Sequence, residues 1–149
     1  MVHGLWPQDE TTRGPSCKPD GQKAPTSIVN QMLVYIPTKG LIQHEWDTHG
    51  SCSGLTLPAF FAAVRNARDS VALPAAFKAP TAQTTMSAAH IEGAFAAANP
   101  TFPSTAFRAT CTSGMLEDAR ICFTKDLKAR ACSASAGECS GSMKILLVR

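Results

Sequence analysis

Apolar positions recur at helical spacing through the first two thirds of the chain and give way to short strand-like runs at its end. Ile28, Met32 and Tyr35 mark a first helix, with Ser27 placed to cap it and Pro37 and Gly40 to end it. A second helix spans about Leu41 to His49, with Gly50 as its stop signal. Leu57-Pro58 opens a third, on which Phe60, Phe61, Val64, Ala67 and Val71 share one face. Ser87 begins a fourth through Ile91, Phe95 and Ala98, closed by Asn99-Pro100. Ala106 to Cys111, Ala119 to Thr124 and Met143 to Val148 then read as strands, while Asp9 to Thr26, polar and rich in Gly and Pro, reads as a long loop. Helices first and strands last predict an α+β fold, an antiparallel sheet with helices packed on it. Neither a repeat nor a dividing linker is visible, so 1–149 is expected to be a single domain.

Composition narrows the class. The 14 Lys and Arg against 11 Asp and Glu give a net charge of +3, which permits a phosphate-bearing partner without demanding one. No window approaches the ~18 consecutive apolar residues of a membrane span. The six cysteines, at 17, 52, 111, 122, 132 and 139, contain no Cys-x-x-Cys pair. Dispersed and even in number, they fit a disulfide framework made in an oxidising compartment, although about 15 connectivities are open to six cysteines. No basic n-region or apolar h-region precedes His3, so a signal peptide is not expected in this chain.

Three of the four histidines fall in two tight clusters, His3-Gly4-Leu5-Trp6-Pro7 and His44-Glu45-Trp46-Asp47-Thr48-His49-Gly50-Ser51-Cys52. On an α-helix Glu45 and His49 stand one turn apart and can touch, and a carboxylate beside an imidazole orients the ring for acid–base work. His44 falls about 140° from His49 at roughly 100° per residue, one ring toward a substrate and the other on its flank. A zinc-protease helix needs His-Glu-x-x-His; here the spacing is one residue longer, and two ligands so far apart on a helix do not easily meet one metal. Two imidazoles and an acid do suit cleavage of RNA through its own 2′-hydroxyl. That reaction needs a base for the 2′ proton, an acid for the 5′ leaving oxygen and donors around the phosphorane. Trp6 offers a stacking surface for a base beside the scissile phosphate.

Both segments, in this order, resemble the two active-site segments of the T2 family of ribonucleases, His-Gly-Leu-Trp-Pro and His-Glu-Trp-x-Lys-His-Gly-Thr-Cys. Cys52-Ser53-Gly54-Leu55, Ala94 to Pro100 and Ala119-Arg120-Ile121-Cys122 are similar to segments of the bacterial branch, so the resemblance runs along essentially the whole chain. It implies a secreted or periplasmic, monomeric α+β enzyme that needs no metal or other cofactor. Such an enzyme cleaves single-stranded RNA with little base specificity, through a 2′,3′-cyclic phosphate. By position it makes His49 the general base and His3 the general acid. Glu45 supports the transition state, His44 holds the phosphate, and Trp6 with Gln8 lines the base site. It also implies the pairs Cys17–Cys52, Cys111–Cys139 and Cys122–Cys132.

Two departures bear on activity. Thr48 stands where the family pattern has Lys, which removes one cation from the phosphate site. Only Met1 and Val2 precede His3, where family members carry a further segment with a strand, so either the fold is rewired there or the chain is a fragment that folds less firmly and holds His3 loosely. The alternative is therefore a catalytically impaired relative that binds RNA or is otherwise non-catalytic. Trp46 and the Phe60-Phe61 pair read as core, His90 as structural or solvent-facing, and Lys125, Lys128 and Arg130 as solvated charges about a turn.

Overall fold

A computed structural model describes residues 2–8, 17–78, 80–137 and 139–146, arranged in two compact units, 1–70 and 71–149. The elements are α1 (Thr26–Met32), α2 (Lys39–Glu45), a π-helical turn (Trp46–Gly50), α3 (Leu57–Asp69) and α4 (Ala75–Lys78). They continue with β1 (Thr84–Ser87), α5 (Ala88–Ala98), β2 (Phe107–Thr112), β3 (Met115–Ile121) and β4 (Ser142–Ile145). Helices and a four-stranded sheet together make the chain α+β, as its patterning predicts. Among the described residues no helix is long and apolar enough to cross a membrane.

The first unit is helical. Its core gathers Val29, Met32, Ile36, Ile42, Trp46, Leu57, Phe60, Phe61 and Val64, with Val2 and Leu5 packed against it. Helix α3 begins as the sequence suggests: Thr56 Oγ1 accepts from the Ala59 N–H, and Pro58 sits in the first turn, where a missing N–H costs nothing. Thr38 caps α2 in the same way through the Leu41 N–H, two residues earlier than the apolar pattern alone indicates. Ser27 does not cap α1; Pro25 occupies the cap position and Ser27 lies inside the first turn. That helix stops at Met32, short of Tyr35, because the chain tightens into a turn in which Tyr35 and Ile36 both donate to the Met32 carbonyl. Of the predicted loop from Asp9 to Thr26, residues 9–16 lie outside the described residues.

The second unit is α5 with a sheet in the order β1-β4-β3-β2. Its core holds Ile91, Phe95, Ala106, Phe107, Ala109, Met143 and Ile145. Ser87 caps α5 by accepting from the His90 N–H, and His90 itself is exposed. Buried Asn99 closes the helix, donating to the Phe95 and Ala72 carbonyls and accepting from the Ala72 N–H. The sheet is mixed rather than wholly antiparallel, since β4 pairs parallel with β3 through Met115 and Lys144. Strand β3 starts four residues before the predicted Ala119, because Ser113 and Gly114, both at positive φ, close a two-residue hairpin with β2. Its predicted continuation to Thr124 is cut off at Ile121, and residues 147–149 of the last predicted strand lie outside the described residues. The three disulfides are Cys17–Cys52 in the first unit and Cys111–Cys139 and Cys122–Cys132 in the second, the pairing the resemblance implies.

Candidate active site

The second histidine cluster begins on α2 and ends on the π-turn, where the Ser51 N–H bonds the Trp46 carbonyl five residues back. A π-turn advances less angle per residue than an α-helix, so positions five apart come into line. That removes the 140° separation expected for His44 and His49. Their ring centroids lie 6.4 Å apart with planes at 87°. Ligand-capable atoms of His44, Glu45 and His49 all fall within 4.8 Å of one another, so these three could hold a metal ion, contrary to what α-helical spacing predicts.

The turn is braced from outside. The Cys17 N–H donates to the Thr48 carbonyl at 2.7 Å, and Ser51 Oγ donates to the Lys18 carbonyl at 3.1 Å. Asp20 accepts from the Trp46 indole N–H, and Gln43 donates to the Gln22 carbonyl while its own oxygen accepts from the Ala24 N–H. The Gln22 backbone N–H is the main reason the Asp20 carboxyl ionises below its usual range. The Cys17–Cys52 bond locks this strap to the helix end. Gly50 ends the helical segment, as predicted, and is also a close-packing residue: a Cβ would strike the Trp46 ring and meet Phe60 at 3.0 Å.

The first cluster lies against the second. The Val2 N–H donates to the Tyr35 carbonyl at 2.9 Å, and Val2 and Leu5 pack on the core, so the segment carrying His3 is anchored where the sequence led us to expect a loose one. Gly4 lets it approach: a Cβ there would overlap the Glu45 carboxylate. Trp6, half-buried, donates its indole N–H to Glu45 Oε2 at 3.1 Å. The same ring lies between two histidines, edge-on to His3 at 4.9 Å and tilted toward His49 at 5.4 Å.

Charge and exposure differ across the site. Glu45 is fully buried, His49 half-buried, and His3 and His44 exposed. Burial, reinforced by the charges of His44 and His3, lowers the His49 pKa below the ordinary imidazole value and favours its neutral form. Thr48 Oγ1 stands 3.3 Å from His44 Nδ1. Gln8 is exposed at the end of its described segment, and Trp46 is core, edge-on to Phe60. Sequence reasoning missed Gly4, the Thr48–His44 contact and the hydrogen bonds by which residues 17–24 brace the turn. Only the first had a signal, a glycine inside a motif that has no turn.

Comparison with known proteins gives this arrangement a context. A protein of Haemophilus influenzae named as a probable ribonuclease is 35% identical over 79 residues, which cover 50% of this chain and 29% of that protein. A ribonuclease of Aeromonas hydrophila is 34% identical over 56 residues, 38% of this chain and 25% of its own length. The matched part is thus under a third of either relative. An RNase-related protein from Calystegia sepium superposes with a TM-score of 0.60 over 94% of this chain and 78% of its own, at 20% identity, and so shares the fold. Residues 1–132 match the Ribonuclease T2 family, and the chain belongs to that family.

Proposed function

We propose that this chain is a metal-independent endoribonuclease that cleaves single-stranded RNA, with little base specificity, by transphosphorylation. The observation that carries the reading is the gathering of His3, His49 and buried Glu45 around the single ring of Trp6. His49, kept neutral by burial, takes the proton of the 2′-hydroxyl as its oxygen attacks phosphorus. The P–O5′ bond breaks, and protonated His3 delivers its proton to the departing 5′ oxygen. The products are a 2′,3′-cyclic phosphate and a free 5′-hydroxyl. Exposed His44 contacts a non-bridging phosphate oxygen, and Glu45 supports the charge that builds on the phosphorane. Trp6 and Gln8 line the place of the neighbouring base.

Three disulfides support a secreted or periplasmic, oxidising location, and we take the chain to act as a monomer. Thr48 favours one second reading, a relative that binds RNA but cleaves it poorly for want of a cation. The deciding experiment is cleavage of a defined RNA in excess EDTA, with product ends identified by mass, for wild type, His3→Ala and His49→Ala. Cyclic phosphate ends that vanish in both variants support the nuclease. Binding without cleavage by folded, disulfide-bonded wild type supports the second reading, and cleavage abolished by EDTA overturns metal independence.

A further inference from the structure

We infer that Thr48 is a positioning residue for His44, holding its ring by Nδ1 so that Nε2–H is presented to the phosphate; the inference rests on the role proposed above for His44. A ring exposed to solvent at the end of a rotatable side chain has no reason to keep one orientation unless one nitrogen is held. Thr48 Oγ1 lies 3.3 Å from His44 Nδ1, and a hydroxyl can bond that nitrogen in either charge state. Donating to Nδ1 of neutral His44, it selects the tautomer that carries the ring proton on Nε2, the state the inference requires. With the imidazolium it accepts from Nδ1–H, and Nε2–H again faces outward. A lysine ammonium at position 48 donates only and repels the imidazolium, so it cannot serve the ring in both states.

Thr48 is itself fixed. Its β-branched side chain has few χ1 choices, and its carbonyl accepts from the Cys17 N–H at 2.7 Å, beside the Cys17–Cys52 bond. The connection therefore runs from the disulfide through the Thr48 backbone to its hydroxyl and on to the His44 ring. It is built from residues of this chain in which position 48 departs from the family pattern.

The test compares Thr48→Val, which keeps the shape and loses the hydroxyl, with Thr48→Ser, which keeps the hydroxyl. Two readouts are taken: the Nδ1 resonance of His44 in side-chain 15N–1H spectra without RNA, and kcat and KM on a dinucleoside monophosphate. In Thr48→Val the Nδ1 resonance moves and kcat/KM falls about fivefold, carried by KM, the loss of one ordinary hydrogen bond's worth of ground-state positioning. Thr48→Ser restores both. An unmoved Nδ1 resonance in Thr48→Val, or a Thr48→Ser variant no better than Thr48→Val, overturns the inference. If the resonance moves but neither Thr48→Val nor His44→Ala alters KM, the role given to His44 fails and the positioning function with it. Absence of cleavage by wild type is a different failure, that of the nuclease reading.

Discussion

His44 and His49 stand edge to face, 6.4 Å apart, because the helix that carries them changes from α to π between them. The consequence is chemical. Two imidazoles on one face share an electrostatic environment, and His44 contributes to holding His49 in its neutral form. A π-turn is less favourable than an α-turn, and here the strap at 17–24 compensates by meeting the Thr48 carbonyl and the Trp46 indole from outside the helix.

Gly4→Ala is expected to cut cleavage about a hundredfold. Its methyl group would overlap the Glu45 carboxylate and come within 2.9 Å of the Trp6 indole nitrogen, so the segment carrying His3 must move away from the site. Overpacking of this kind costs about 1–3 kcal/mol of stability, and a misplacement of about 1 Å costs about a hundredfold in rate. Gly93→Ala is the control. No atom lies within 4 Å of a Cβ there, and alanine in a helix gains about 0.5–1 kcal/mol over glycine. Thermal unfolding and initial rates separate the two; full activity in Gly4→Ala refutes the packing argument.

The acid limb of kcat/KM is expected below the ordinary imidazole pKa of about 6.5. A general base works when neutral, and the limb reports its pKa in the free enzyme, which burial of His49 lowers first and the charges of His44 and His3 lower further. His44→Asn removes one of those charges, so its limb moves upward. It stays under the ordinary value because burial, the larger cause, remains. The same sign governs folding. Below about pH 6.5 the unfolded chain binds the proton that folded His49 resists, so stability falls as pH drops toward the folded pKa. A limb above 6.5 in wild type would contradict the assignment of His49 as base.

Much of this was legible in the sequence, and the exceptions have physical causes. The cap at Ser87, the opening of α3 at Leu57-Pro58, its apolar face and the α+β order follow from local rules that tertiary packing leaves alone. The angle between His44 and His49 did not follow, since 100° per residue assumes an α-helix and nothing in the residues Trp46 to Gly50 announces a π-turn. Strand β1, four residues without alternation, was invisible because its register is set by β4, more than fifty residues later. The early start of β3 was readable from Ser113-Gly114, a hairpin signal that the apolar pattern alone passes over. His3, expected to be loose, is held by a hydrogen bond from Val2 to Tyr35 that no sequence rule supplies.

Replacing Cys17 and Cys52 by serine is expected to impair catalysis more than stability explains. The bond closes a sequence separation of 35 residues, worth about 3–4 kcal/mol in the chain-entropy account. It also keeps Cys17 beside the Thr48 carbonyl, so loosening it releases the π-turn and the facing of His44 and His49. Replacing Cys122 and Cys132, which lie in the other unit, should lower the melting temperature with kcat kept in the folded fraction. Rates measured at a temperature where each variant is folded decide the matter; equal losses of kcat in the two double variants refute a specific role for Cys17–Cys52.

Thr48→Lys sets two effects against each other. The substitution loses the hydroxyl that holds His44, about 1 kcal/mol, and adds a permanent cation beside the phosphate. A donor aimed at charge that develops in the transition state is worth roughly 2.7–4 kcal/mol, so the gain exceeds the loss by about 2 kcal/mol or more. Cleavage is therefore expected to rise by more than about tenfold, because each 1.36 kcal/mol taken from the barrier is tenfold in rate. The rise should appear in kcat, since the added charge acts most on the phosphorane, while KM rises about fivefold, as in Thr48→Val. Salt separates this from a general increase in RNA affinity, which would weaken steeply with ionic strength and appear in KM. A fall in kcat/KM would mean that the hold on His44 outweighs the charge, and that this chain had arranged its phosphate site around a hydroxyl instead of a cation.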